Sequence, residues 1–112
     1  MQHYASTVRD FLKFTRPKLG LKGPIRVKLI NKSIKHGDQT TFGYFDAQSK
    51  KIVISVKDRH PTDVLRTLCH ELVHLAQSQA RPLTREDGET GSDIENQANA
   101  VAGIIMRLWN QR

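Results

Sequence analysis

The stretch that decides the fold is Thr67-Leu68-Cys69-His70-Glu71-Leu72-Val73-His74-Leu75-Ala76-Gln77. Its leucines recur at intervals of three and four residues, which is the spacing of one face of an α-helix. His70 and His74 are four residues apart, so they lie one turn from each other on a separate, polar stripe of that helix. The pattern predicts a helix that is buried on most of its sides and carries polar side chains together on one stripe.

Two imidazoles one helical turn apart can bind a single metal ion, and Glu71 flanks the same open side of the helix. The spacing His-Glu-x-x-His is typical of zinc hydrolases. A catalytic Zn²⁺ takes three protein ligands and keeps a fourth position for water, so one further ligand must lie elsewhere in the chain. We expect Glu71 to act on that water as the general base. The alternative is a pair of histidines that serves the structure alone.

A second amphipathic helix, expected to start at Ser92 or Asp93, offers the third ligand. Glu95 lies just inside this helix, on a face that also carries the small residues Ala98 and Ala102. Small residues would let the two helices pack closely enough for a carboxylate to reach the roughly 2 Å that coordination requires. We therefore expect one Zn²⁺ on His70, His74 and Glu95. The alternative is that Glu95 is an acid favoured by the positive end of a helix.

Three other polar residues near the motif are open to two interpretations each. Asn99 could accept a hydrogen bond from the far nitrogen of His70 or His74 and fix its tautomer, or it could be an exposed helix asparagine. His60 precedes a proline at the expected helix start, which favours a cap or loop residue over a ligand. Cys69 lies on the apolar side of the helix, which favours a buried thiol over a ligand or nucleophile.

The residues before the motif predict one helix and three strands. Apolar positions at helical spacing open the chain, and Pro17 with Gly20 is expected to end that helix. Strands are expected at 25–29, 40–45 and 51–56, with a hairpin turn at 46–50 and a polar, turn-rich segment at 31–39. The strand at 51–56 is the most apolar and is expected to be central. The strand at 40–45 contains a glycine and is expected at the edge of the sheet.

That edge strand is the expected substrate platform. Its backbone at Phe42, Gly43 and Tyr44 could pair with an extended peptide and hold it over the metal. Selectivity would then be broad, because backbone pairing takes little account of side chains.

Length and composition suit one α+β domain spanning 1–112, because 112 residues with 38% apolar content can bury one modest core. No apolar run reaches membrane length and no basic-then-apolar leader opens the chain, so we expect a cytoplasmic protein with no membrane contact. The single cysteine excludes an internal disulfide. Of the net charge of +7, residues 1–60 carry thirteen basic against four acidic side chains, and the rest carry five against seven. The basic half could bind nucleic acid, although dispersed cations on a solvated face are the commoner cause.

The pattern His70-Glu71-x-x-His74 followed by Glu95-x-x-Ala98 resembles the gluzincin metallopeptidases. The residues around the motif are also similar to SprT-like proteases and to small metallopeptidases of bacteriophages. The resemblance implies a minimal zincin-like domain, one zinc ion, hydrolysis of peptide bonds in a protein substrate, and a bacterial or phage-infected cell. The extended metzincin motif does not fit, because Gln77 and Ala80 stand where it needs glycine and histidine.

Two departures limit what the resemblance implies. Gluzincins often carry an aspartate where this chain has Asn99, so a neutral group would support the ligands here. They also commonly use a histidine or tyrosine beyond the glutamate helix to stabilise the oxyanion, and this chain has neither there, which leaves Tyr44 and His60 as weak substitutes. A second function class therefore stays open: a metal-stabilised or metal-free module that binds nucleic acid or a protein partner.

Overall fold

Three helices and five strands account for most of the residues that the computed structural model describes, which are 2–81, 83 and 91–112. The helices are α1 (Gln2–Leu19), α2 (Pro61–Ala80) and α3 (Asp93–Asn110). The strands are β1 (Arg26–Ile30), β2 (Ile34–His36), β3 (Gln39–Thr41), β4 (Gly43–Asp46) and β5 (Lys51–Ser55). The expected α+β class is confirmed for this part of the chain. None of its helices has the length and apolar content that crossing a lipid bilayer requires.

Strand β5 is the centre of a three-stranded sheet with the order β1-β5-β4. It runs parallel to β1 and antiparallel to β4, with Gly43 opposite Ile54. Ile52 and Ile54 are fully buried on the face that joins the helical core. The predictions of a central apolar strand at 51–56 and of an edge strand next to it are both confirmed.

The expected continuous strand at 40–45 is wrong, because the chain bends at Phe42 and divides it into β3 and β4. β3 pairs with β2 in a separate antiparallel hairpin, in which Ile34 lies opposite Thr41. The segment 31–39, expected to be polar and turn-rich, therefore contributes a strand that was not predicted. After the bend, the Phe42 carbonyl accepts a hydrogen bond from the Ser55 amide at 2.9 Å, which joins the β4 side to the main sheet.

Helix α2 runs through the core, and Val64, Leu68 and Leu72 on it are fully buried. Its start follows from the local sequence: the Nδ1 atom of His60 accepts a hydrogen bond from the Thr62 amide at 3.2 Å, and a proline occupies the first helical position. The prediction that His60 is a cap residue is confirmed. Arg81 caps the other end.

Helices α1 and α3 cover α2. Pro17 lies inside the last turn of α1 and does not end it; the end comes at Leu19, where Gly20 takes a positive φ of 63°. Trp109 of α3 packs edge-to-face against Phe11 of α1, with ring centroids 5.0 Å apart. The apolar stripe expected on α3 is confirmed except at its end, because Leu108 points to solvent and Trp109 takes the buried position.

Candidate metal centre

Three side chains from two helices converge at one point. The Nε2 atom of His70 lies 3.0 Å from Oε1 of Glu95, and the Nε2 atom of His74 lies 2.7 Å from Oε2 of the same carboxylate. The two Nε2 atoms lie 3.1 Å apart. One ligand atom from each residue lies within 4.8 Å of the others, so the three residues could hold a metal ion.

Close packing of α2 and α3 produces this convergence. Ala98 of α3 is fully buried, and the Sγ atom of Cys69 lies only 3.9 Å from the carbonyl of Ala102. Ser92 begins α3 by accepting a hydrogen bond from the Glu95 amide at 3.1 Å, which holds Glu95 in the first turn. The small residues noted in the sequence thus lie at the helix contact, and the glutamate lies at its end.

Gln77 fixes the tautomer of His74. The amide nitrogen of Gln77 donates to the carbonyl of Ile94 at 3.1 Å and to Oε1 of Gln97 at 2.7 Å. Its amide oxygen lies 2.8 Å from Nδ1 of His74 and can only accept a hydrogen bond. The Nδ1 atom must therefore carry a proton, so the Nε2 atom of a neutral His74 carries a lone pair that points at Glu95.

The donor set therefore fits a cation. A lone pair on His74 Nε2 and a carboxylate oxygen of Glu95 both accept hydrogen bonds, and two acceptors 2.7 Å apart repel unless a proton or a metal ion lies with them. Ligand atoms about 2.0–2.1 Å from a tetrahedral Zn²⁺ lie roughly 3.3 Å apart. The two Nε2 atoms lie 3.1 Å apart, close to this value, and they lie 3.0 and 2.7 Å from the two different oxygens of Glu95.

Burial makes Glu71 an unusual carboxyl group. Only 9% of its surface is exposed, and this burial raises its pKa from 4.5 to about 8, with the charge of Glu95 adding to the effect. In the absence of a metal ion Glu71 is therefore mostly protonated at neutral pH. A nearby divalent cation reverses this preference, because it favours the charged carboxylate.

The pKa of His70 is lowered, first by burial and then by the neighbouring His74, so the neutral form that binds metals is favoured. Glu95 and a side-chain hydrogen bond with Asn99 act in the opposite direction. Asn99 thus contacts His70, and its expected role in fixing a tautomer stays a prediction. Burial also raises the pKa of Cys69 to about 12, and its sulfur faces the α3 backbone, which confirms the interpretation as a core thiol.

A cavity of about 320 Å³ opens next to His70 and Glu71. The lining comprises Thr41, Phe42, Gly43, Arg66, Thr67, His70 and Glu71. Two of the three expected substrate-binding residues, Phe42 and Gly43, thus lie beside the metal centre. Tyr44 does not line this cavity, because successive strand residues point to opposite faces and Gly43 faces α2.

Gly43 allows strand and helix to approach closely beside the site. A Cβ atom there would lie 2.8 Å from Cδ1 of Ile54 and 2.9 Å from Cγ2 of Thr67, and real Cβ atoms do not come so close to their neighbours. The glycine that suggested an edge strand in the sequence therefore also shapes the cavity.

Sequence reasoning overlooked Gln77 and Arg59. Gln77 follows His74 by three residues on the same helix, a spacing that brings side chains into contact, so its position carried a usable signal. Arg59 donates hydrogen bonds to Thr67 and to two backbone carbonyls, which no local pattern indicates. The acids Glu86, Asp87 and Glu89, which follow His74 in the sequence, lie outside the described residues.

Comparisons of the chain with protein-family models, with curated proteins and with solved structures gave no significant match. The site is therefore defined by its geometry, in which His70, His74 and Glu95 converge.

Proposed function

We propose that this protein is a zinc-dependent metallopeptidase that hydrolyses peptide bonds of a protein substrate through a metal-activated water. The observation that carries the proposal is the convergence of His70, His74 and Glu95 beside a cavity that Glu71 also lines. Three ligands from the protein leave a fourth position for water or substrate, which is the pattern of catalytic rather than structural zinc sites.

The finer identity belongs to the same proposal. Two histidines of His-Glu-x-x-His and a glutamate from a second helix are the ligand set that gluzincins use, so we place the chain with minimal, zincin-like domains of that kind, including the SprT-like and bacteriophage ones. The cytoplasm of a bacterial or phage-infected cell is the corresponding location. Because Asn99 is neutral, it can orient His70 but cannot raise the basicity of the ring as a carboxylate would.

In this mechanism the residues of the chain bind the metal and move one proton. Zinc would supply a polarised substrate carbonyl and a water of lowered pKa. His70, His74 and Glu95 would hold the ion, while Glu71 accepts the proton of the attacking water on its carboxylate and then gives it to the leaving nitrogen. The buried surroundings that raise the pKa of Glu71 favour its protonated form, so they assist the first of these transfers, in which the carboxylate takes up the proton.

The decisive experiment uses Glu71→Gln, which keeps the shape and polarity of the side chain but removes the base. We expect this variant to bind one zinc per chain as the wild type does and to cleave unstructured proteins about 10²–10⁴ times more slowly. Zinc is measured by elemental analysis and cleavage by mass spectrometry of casein-like unfolded substrates. Equal cleavage by the two proteins would remove Glu71 from the reaction.

The ligand set is tested by chelator competition. Because three groups share the ion, Glu95→Ala should weaken zinc binding about as much as His74→Ala does. Glu86→Ala and Glu89→Ala each remove another carboxylate that follows His74 in the sequence, and both variants should bind zinc as the wild type does. Full occupancy in the Glu95 variant, or loss of zinc in either control, would place the third ligand elsewhere.

The absence of cleavage by the zinc-bound wild type would distinguish the two function classes. If the wild type holds zinc and cleaves no unfolded protein between mildly acidic and mildly basic pH, the peptidase proposal fails. The metal-stabilised module that binds nucleic acid or a protein partner then takes its place, and salt-dependent binding of DNA distinguishes those two partners.

A further inference from the structure

Phe42 is an exposed aromatic residue beside the metal centre. It exposes 56% of its surface, and it lies at the bend between β3 and β4. Its side chain lines the cavity that reaches His70 and Glu71. It also lines a neighbouring cavity of about 480 Å³ that extends to His60. The two cavities share Phe42, Arg66 and Thr67, and we call them together the groove.

Arg59 holds this ring in place. Its guanidinium group lies 4.3 Å from the centre of the Phe42 ring, within the range of a cation–π contact. The same group donates hydrogen bonds to the carbonyls of Ser55 and Asp63 at 3.1 and 2.9 Å, and to the Thr67 hydroxyl at 2.7 Å. An exposed phenylalanine with a fixed support has a defined orientation before any ligand arrives, which lowers the entropic cost of binding.

Two of the cations that line the groove have partners, while Lys57 lines its second part as a further cation. Arg59 is engaged as described, and Arg66 pairs with the carboxylate of Asp63 at 3.2 Å. An acidic substrate would have to compete with these contacts, whereas the Phe42 ring still exposes apolar surface that a substrate could cover. The cavity beside His70 is also small: about 320 Å³ is near the lower end of the 300–1,000 Å³ typical of ligand pockets. It has room for one large side chain.

We propose that Phe42 determines specificity by packing against an aromatic or large aliphatic side chain next to the scissile bond of an extended peptide, an inference that rests on the proposed peptidase function. In an extended chain each residue advances about 3.3 Å, so a side chain one residue from the reacting carbonyl lies within a few ångströms of the metal. The Phe42 ring is the apolar surface on that path. The range of substrate side chains that the site accepts is then narrower than backbone pairing alone would give.

The test compares two synthetic probes: an unstructured peptide of glycine, serine and alanine with one central phenylalanine, and the same peptide with alanine at that position. Affinity is measured by fluorescence anisotropy on zinc-loaded Glu71→Gln, which binds without turnover. Wild-type cleavage of both peptides is measured separately. We expect the affinity for the phenylalanine peptide to exceed the affinity for the alanine peptide by a factor of about 10 or more. Adding Phe42→Ala should reduce this ratio of affinities to below about 2, and adding Phe42→Leu should leave an intermediate ratio.

Tyr44→Ala is the matched control, because it removes another exposed aromatic residue two positions away that does not line the groove. It should leave the ratio unchanged. Equal affinity for the two peptides, or the same ratio with and without Phe42, overturns the inference even if the wild type cleaves both. A ratio that depends on Phe42 in a protein that cleaves neither peptide supports the binding site and refutes the peptidase.

Discussion

Replacing Glu71 with glutamine should change the stability of the metal-free protein in a pH-dependent way. Burial raises the pKa of Glu71 from 4.5, its ordinary value in an unfolded chain, to about 8 in the folded protein. Each pKa unit corresponds to about 1.4 kcal/mol, so the wild type should lose about 4 kcal/mol of unfolding free energy between pH 4.5 and pH 8. Glutamine stays neutral throughout and should escape this loss.

The direction follows from where the proton binds. Between pH 4.5 and pH 8 the folded protein keeps the Glu71 proton that the unfolded chain has already released. The folded state then binds more protons, so the unfolding free energy falls as the pH rises. The contribution is fully present below pH 4.5 and is lost as the pH passes through 8. The lowered pKa of His70 has the opposite sign, and the comparison with Glu71→Gln cancels it to first order because both proteins carry that histidine.

Urea denaturation of chelator-treated wild type and Glu71→Gln, at pH 5 to 8.5, measures the effect. The two unfolding midpoints should be close at pH 5 and differ by about 2 M urea at pH 8, with glutamine the more stable. Zinc should remove most of the wild-type pH dependence, because the ion favours the charged carboxylate. Parallel stability profiles for the two metal-free proteins would refute the argument that Glu71 is held neutral by burial.

Three further predictions follow from the packing around the centre. Gln77→Leu should lower zinc affinity about 10–100-fold in chelator competition, because it leaves Nδ1 of His74 without its acceptor; unchanged affinity would mean that the tautomer is set otherwise. Gly43→Ala should destabilise the fold by about 1–3 kcal/mol in urea, because its Cβ has no space. Gly103→Ala on α3, where a Cβ meets nothing, should stabilise it by up to about 1 kcal/mol, and equal effects would contradict the clash. Cys69, with its pKa raised to about 12, should resist iodoacetamide at pH 8 until the protein is unfolded; rapid labelling of the native protein would contradict its burial.

Helix α2 and the position of its two histidines on one face could be predicted because their signals are local. The leucine stripe, the cap at His60 and the spacing of the two histidines all lie within one helix, and each agrees with the others. The position of Glu95 was predicted less directly, because the small residues of α3 indicated where two helices pack closely. The structure brings this carboxylate to the two imidazoles, so even this non-local feature had a trace in the sequence.

The region before α2 was harder to predict because its structure depends on partners distant in the chain. Residues 40–45 are rich in the threonine and aromatic residues that strands favour, yet β2 pairs with the first half and β5 with the second, so the chain bends at Phe42. No local pattern distinguishes these two partners. The same bend directs Phe42 into the groove, whereas Tyr44, which looks equivalent in the sequence, does not line it.

The centre is also where the chain departs from the rules that the rest of it follows. Elsewhere in the described residues, apolar side chains fill most of the core, and His60 and Ser92 cap the starts of α2 and α3, so local preference and fold agree. At the centre a carboxyl group is buried at Glu71, and the acceptors of His74 and Glu95 face each other at 2.7 Å. The buried carboxyl group costs stability in a metal-free protein, and the His74–Glu95 pair there needs a shared proton. Such a departure persists when function requires it. One divalent cation would stabilise both features, because it attracts the lone pairs of His74 and Glu95 and favours the ionised form of Glu71. The energetic conflict in the metal-free fold is therefore an argument for the metal that is independent of the motif, and the pH profile of Glu71→Gln measures part of it directly.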